Sequence, residues 1–597
     1  MRLGRIVGVV ILVAVVVAGV LLYRKFSLPR LPAAEPVTRV VSLDQGWSPE
    51  EAARYHYTAQ GTLLMPLAWL EVMDAGAFTN RKIIDPDILA GFRYITDGVK
   101  PDPATNRTGL PIGWAVGTWP SPQPARGGAP PPPVQKVGFS CSTCHTGQLN
   151  YKGVGIRIEG GGAMIDAGSF EDMVGKAVIA TDLLPWKRSP FVAEVSRRTG
   201  LPAEIISKEL TAARRRAVDE AMESVFTPLY AHEGYGRLDA LQRIANTLFA
   251  VDLHEPANFQ RGDGAVKYPY LWDIGRLDWV QYNGSVRQPM MRNVGEALGV
   301  RAETAFISDL TGKPNPEPVR WNSSVQVDAL NWMEDNMHKL RAPVWPAEVL
   351  GPIDAARAAR GAQLFQANCE GCHGIHVVRT PAQSEWRVTR IPLARIGTDP
   401  QAAMNFATRT YDGAKLGAGV LSGGEGLRLV TDNIKAYQYR RLGLTPEQIA
   451  AWDGFGRQGV VEAFLGYKAR PLVGIWASPP YLHNGSVPTL YDLLSPTRPA
   501  RFAVGSREYD PVKVGFQTKP VPHGGQLDTS AKGSSNLGHW FAGDDRPGRI
   551  GPALTEAQRW DLIEYLKSAT YETYPCRVMG SGPPPTAEEC HRRAPAS

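Results

Sequence analysis

One short cysteine pattern, present twice, constrains this chain more than any other feature. VGFSCSTCHTG runs from Val137 to Gly147, and LFQANCEGCHG from Leu364 to Gly374. Each holds Cys-x-x-Cys followed at once by histidine: Cys141, Cys144 and His145 in the first copy, Cys369, Cys372 and His373 in the second. The chain has 6 cysteines in 597 residues, so most of them are committed to these motifs. Three chemistries use Cys-x-x-Cys: structural zinc, redox dithiols and covalent haem. A zinc ribbon needs its second pair about 15–20 residues from the first, whereas these pairs begin at Cys141 and Cys369. A redox dithiol has no need of the histidine. Haem attachment uses every residue of the motif, since the sulfurs bond the porphyrin vinyl groups and the adjacent imidazole reaches the iron. The reading is two covalently bound haem c groups, with His145 and His373 as iron ligands.

A chain of this length exceeds one ordinary core, so two domains or more are expected. Hydrophobic residues at 43% and charged residues at 21% give the balance of a folded globular protein. Gly 61 and Pro 49 point to long ordered loops more than to regular strands. The net charge of +7 gives no case for nucleic acid, and the Arg214, Arg215, Arg216 run reads as a solvated helix face. An apolar run from Ile6 to Leu22 would span roughly 26 Å as a helix, against a bilayer core of about 30 Å. Residues 1–25 are therefore expected to form an N-terminal transmembrane helix, the alternative being a cleaved signal. Arg2, Arg5, Arg24, Lys25 and Arg30 flank both ends of the run, so positive charge does not set its orientation. Residues 26–45 read as a tether.

SPQPARGGAPPPPV (Ser121 to Val134) excludes helix and central strand, because proline fixes φ and lacks the donor. It reads as a surface loop before the first motif. Apolar spacing near 3.6 marks helices in LPAEIISKELTAARRRAVDEAMESVF, VDALNWMEDNMHKL and EAQRWDLIEYLKSA. Asp354 is placed to cap AARAARGAQLFQ, which leads into the second motif, and RAPVWPAEVLGP (Arg341 to Pro352) reads as a hinge. Candidates for the sixth ligand of the second iron are Met404, His376, His483, His523, His539 and Met579. His539 is favoured because it lies on a Gly-flanked loop before the last helix. Cys576 and Cys590 are left either to pair or to remain free thiols.

RGAQLFQANCEGCHG followed by LTEAQRWDLIEYLKSA resembles the first and last helices of a cytochrome c domain, which pack crosswise beside the haem. WASPPYLHNGSVPTLYDLL (Trp476 to Leu494), the order of the two motifs and GHWF before the last helix resemble the bacterial dihaem cytochrome c peroxidase superfamily. LDWVQYNGSVRQPMMRNVGEALGV (Leu277 to Val300), RIGTDPQAAMNFATRT and YHYTAQGT look most like its long rubber-oxygenase-like branch. The resemblance spans about residues 45–570. It implies a mainly α fold of two cytochrome c-like haem domains with long loops and insertions, besides the N-terminal transmembrane helix. Residues 46–345 would hold the reactive haem, 346–570 the electron-transfer haem, and 571–597 a Pro-rich tail.

In that frame Gln281 and Glu296 are the candidate catalytic residues, handling protons at an open iron face. His483 of the HNGS turn would bind the cofactor at a haem edge without touching iron, and His145, His373 and His539 would be the iron ligands. Trp279, Trp332 and Trp345 are the candidates for an aromatic group between the haems. Calcium often sits between the domains of this group, yet no acidic calcium loop is visible here, so calcium stays open. Haem of this type is attached outside the cytoplasmic membrane. The implied location is the periplasmic side of the bacterial inner membrane, anchored by the N-terminal helix, or soluble in the periplasm or secreted after cleavage. The implied partners are a small periplasmic electron donor, such as a monohaem cytochrome c or copper protein, and hydrogen peroxide or dioxygen. The leading expectation is peroxide reduction. The alternatives are an oxygenase cleaving an apolar substrate such as polyisoprene, and a non-enzymatic, membrane-tethered electron carrier with both irons fully ligated.

Overall fold

Helices form where apolar periodicity and caps place them: Ala203–Val225, Val327–Met337, Ala355–Asn368 and Glu556–Ser568. They are seen in a computed structural model that describes residues 16, 19, 20, 23–124, 134–225, 233–381 and 383–592. Asp354 accepts from the Arg357 amide at 3.0 Å and so caps the helix leading to the second motif. Thr555 and Gln558 close a capping box on the last helix.

Those two helices cross at Gly361. A Cβ there would lie 2.0 Å from the Asp561 carbonyl oxygen, so only glycine admits the approach. Arg360 grips both Asp561 carboxylate oxygens at 2.8 and 3.0 Å, and Phe365 packs on Tyr565 with ring centres 5.0 Å apart.

The expectation of a mainly α fold is overturned. The described residues are 38% helix and 17% strand, and their strands form nine sheets of two or three strands each. Long Gly- and Pro-containing connections cannot run through a protein with their amides unpaired. Here they satisfy them in short local ladders. Ile375–Arg379, directly after the second motif, pairs antiparallel with Ser384–Trp386 and parallel with Cys576–Val578. Cys576 and Cys590 are joined as a disulfide.

The expected transmembrane helix, and the membrane-anchored location built on it, are corrected as well. No helix among the described residues is long and apolar enough to cross a membrane. The run Ile6 to Leu22 lies outside the described residues except for 16, 19 and 20, and so do residues 125–133 of the proline-rich loop.

Buried apolar side chains gather into two large cores. One joins Leu70, Phe92, Trp114 and Phe139 to the helices Ala167–Leu183 and Pro185–Thr199, with Cys144 at its margin. The larger runs from Tyr55 and Ile158 through Trp272 and Leu277 to Trp476 and Leu562. It takes in the segment expected to be a hinge: Trp345 is buried against Trp476 at 5.2 Å, and the Ala342 amide donates to Tyr571 Oη at 3.0 Å. Arg214 is also not simply solvated. Its Nε donates to Asp182 Oδ2 at 2.7 Å, while Arg188 takes Oδ1 of the same buried carboxylate.

Candidate haem sites

The strand Lys136–Phe139 delivers the chain to a one-turn helix, Cys141–His145, capped by Ser140. The stretch YHYTAQGT braces it. Gln60 Nε2 and Thr62 Oγ1 donate to the Phe139 carbonyl at 3.0 and 2.6 Å, and Cys141 Sγ donates to Gln60 Oε1 at 3.2 Å. His56 is held in a buried bond to Glu159 at 2.7 Å. His145 Nδ1 lies 2.8 Å from the Pro269 carbonyl. A carbonyl only accepts, so the proton sits on Nδ1 and Nε2 keeps its lone pair for a metal. Burial pushes the imidazole down to about 4 and the Cys141 thiol up to about 12, which keeps both neutral.

The second motif repeats this arrangement on different elements. Ala355–Asn368 runs into Cys369, and the turn Glu370–His373 follows. His373 Nδ1 lies 2.8 Å from the Arg470 carbonyl, so its Nε2 is likewise free for a metal. The His539 ring stands opposite, with centres 6.2 Å apart. An imidazole nitrogen holds a metal from about 2 Å, so two rings on opposite sides of one metal have centres roughly 6 Å apart. His539 Nδ1 is a buried polar atom with no hydrogen-bond partner. Burial, followed by His373 and Arg498, pushes this imidazole down to about 3.

The other candidates for that position lie elsewhere. Met404 and Met579 are both 43% exposed, and His523 is exposed. His376 sits in a strand beside Arg577 at 3.3 Å. His483 stacks on Tyr467 with ring centres 3.9 Å apart, and burial pushes it down to about 3. All four motif cysteines are free thiols, available for thioether bonds. The donor sets therefore fit two covalently attached haems.

Gln281 and Glu296 are brought together. Gln281 Nε2 donates to Glu296 Oε1 at 2.5 Å. Gln281 has φ 63° in the turn closed by the Val280–Val286 bridge, and Glu296 lies on the helix Pro289–Gly299. Burial, followed by the Glu296 charge, raises the Cys141 and Cys144 thiols, which ties the pair electrostatically to the first motif. Burial holds the Glu296 carboxyl above the usual range, against the Gln281 bond and the nearby Arg292 charge. Arg292, one turn earlier on the same helix, is buried with Glu334 and Asn293. Sequence reasoning missed it, although its i, i+4 spacing from Glu296 was a usable signal.

The three tryptophans expected between the haems each pack against other side chains. Trp279 lies under Arg390 at 4.2 Å, Trp332 under Arg54 at 3.9 Å, and Trp345 against Trp476. Tyr270 and Trp272 stack on each other at 4.3 Å beside the segments that fix the two imidazoles. They follow Pro269, whose carbonyl fixes His145. Arg470, whose carbonyl fixes His373, donates to the Tyr270 carbonyl at 2.7 Å and to that of Trp272. A cavity of about 100 Å³ opens beside Cys144, walled by Phe139, Ile165, Val251 and Phe259 with Glu171, Arg243 and Arg301. Among the described residues no group of three or more His, Cys, Asp or Glu side chains is arranged to hold a metal ion.

Residues 466–503, which contain Arg470 and the His483 turn, match the RoxA-like, cytochrome c-like family. Across 604 residues the chain is 36% identical to the uncharacterized protein y4iJ of Sinorhizobium fredii (strain NBRC 101917 / NGR234), over 93% of this chain and 97% of that protein. It is 30% identical over 317 residues to the uncharacterized protein y4iM of the same organism, over 50% of this chain and 63% of that protein. The chain therefore belongs to the family of y4iJ, and its RoxA-like, cytochrome c-like segment marks it as a haem-based oxidoreductase.

Proposed function

We propose that the protein reduces hydrogen peroxide, with the reactive haem in the Cys141, Cys144, His145 cradle and a relay haem held by His373 and His539. The observation that carries this reading is the unequal equipment of the two cradles. The first has a half-buried carboxyl and amide in contact; the second has a facing imidazole. Haem bound there supplies iron that binds a small oxygen species and exchanges electrons.

Reducing one peroxide to two waters takes two electrons and two protons. The electrons come from a small donor protein such as a monohaem cytochrome c or a copper protein. Gln281 occupies Glu296 Oε1, which leaves Oε2 to take a proton from one peroxide oxygen and deliver it to the other, the one that leaves as water. A group of this kind contributes about 10²–10⁴-fold. Glu296→Gln is therefore expected to lower peroxide turnover by about that factor, with the absorption of the relay haem unchanged. Wild-type turnover in this variant overturns the assignment.

A second reading rests on the RoxA-like match of residues 466–503: dioxygen-dependent cleavage of an apolar substrate such as polyisoprene. Oxygen uptake on polyisoprene, run beside the peroxide assay, separates the two.

A further inference from the structure

We propose that Lys267, Lys468 and Arg470 form a carboxylate-binding site that takes the propionate edges of the porphyrins between the two histidine cradles. The proposal rests on the haem reading and adds binding residues to it.

Lys267 is 6% exposed, and its ammonium donates only to neutral groups, Ser478 Oγ at 3.0 Å and the Ser478 carbonyl. The Lys468 ammonium lies 5.6 Å over the Tyr282 ring. Arg470 spends both Nη atoms on the Tyr270 and Trp272 carbonyls, lies 3.7 Å over the Tyr270 ring, and keeps a buried Nε with no partner. Among the described residues neither lysine nor Arg470 makes an ion pair with a carboxylate, and the Arg470 charge works against both lysines. Lys267 is buried and Lys468 and Arg470 are half-buried, and burial pushes both lysines toward their neutral forms. An anion brought by a ligand would hold all three charged.

Placement identifies that ligand. Lys267 lies two residues before Pro269, whose carbonyl fixes His145. Lys468 lies two residues before Arg470, whose own carbonyl fixes His373. Each cation therefore rides on a segment that also orients an iron-binding imidazole. A cofactor held by those imidazoles brings carboxylates of its own, and ammonium and guanidinium donors are suited to carboxylates.

The test is a spectroelectrochemical titration of the holoprotein carrying Lys468→Met, Lys267→Met or Lys468→Arg, with attached haem counted on the same samples. A cation beside a propionate favours the reduced, less positive iron. Each Met variant is expected to lower the midpoint potential of at least one haem, while Lys468→Arg stays at the wild-type value. Unshifted potentials in both Met variants, with two haems attached, overturn the carboxylate site and leave the haem reading standing. Wild-type protein without two attached haems overturns both.

Discussion

The proposed coordination of the second iron turns on one side chain, His539. It faces His373 from a loop that only glycine at 538 admits, since a Cβ there would lie 2.4 Å from the Gly397 carbonyl carbon. Removing it should convert the second haem from low-spin, six-coordinate iron to an open form. In His539→Ala, the low-spin bis-imidazole signal in magnetic resonance spectra is expected to vanish while the first haem keeps its spectrum. An intact low-spin signal would put the ligand elsewhere. Glu296 carries the matching expectation for the first haem. Because burial raises its carboxyl, turnover that needs the ionised form should fall as pH drops through a value above that of an ordinary glutamate. That limb of the pH profile should disappear in Glu296→Gln. His539 and Gln281 both sit in the left-handed backbone region, at φ 53° and 63°, which costs about 1–3 kcal/mol for a non-glycine residue. The sequence displays motif residues that are adjacent in the chain, as in Cys-x-x-Cys-His. It does not display φ, or which of many tryptophans has its carbonyl bound by the arginine that fixes His373, so Trp272 and Arg470 emerge only in three dimensions.

At the scale of elements, periodicity and caps made the long helices legible, and Asp354 caps its helix as the sequence suggests. The strands were not legible, for a physical reason. Ladders as short as Cys576–Val578 against Ile375–Arg379 are too brief to show alternation, and their partners are remote in the chain. The crossing of Ala355–Asn368 with Glu556–Ser568 yields a sharp prediction. Alanine is a better helix former than glycine by about 1 kcal/mol, yet a Cβ at Gly361 meets a backbone oxygen that cannot rotate away. Overpacking of this kind costs about 1–3 kcal/mol. Gly361→Ala should therefore lower the denaturant midpoint, and a raised midpoint would show that the helices separate without cost.

At the scale of the molecule, the larger of the two cores reaches both motifs, with Cys141 and Cys369 packed against it. The C-terminal tail is fastened onto it: the Cys576–Cys590 disulfide, the Trp386 Nε1 bond to the Glu589 carbonyl at 2.7 Å and the Arg379–Glu589 ion pair hold it beside the second motif. The two histidine cradles meet through Tyr270, Trp272 and Arg470 inside that core. The whole arrangement has meaning only if iron porphyrin is bonded to the chain at both motifs. The most direct measurement is the haem content of the purified, fully denatured polypeptide from cells competent in haem attachment. Two haems per chain should remain, falling to one when Cys141 and Cys144, or Cys369 and Cys372, are replaced by alanine. A colourless denatured chain would contradict the account.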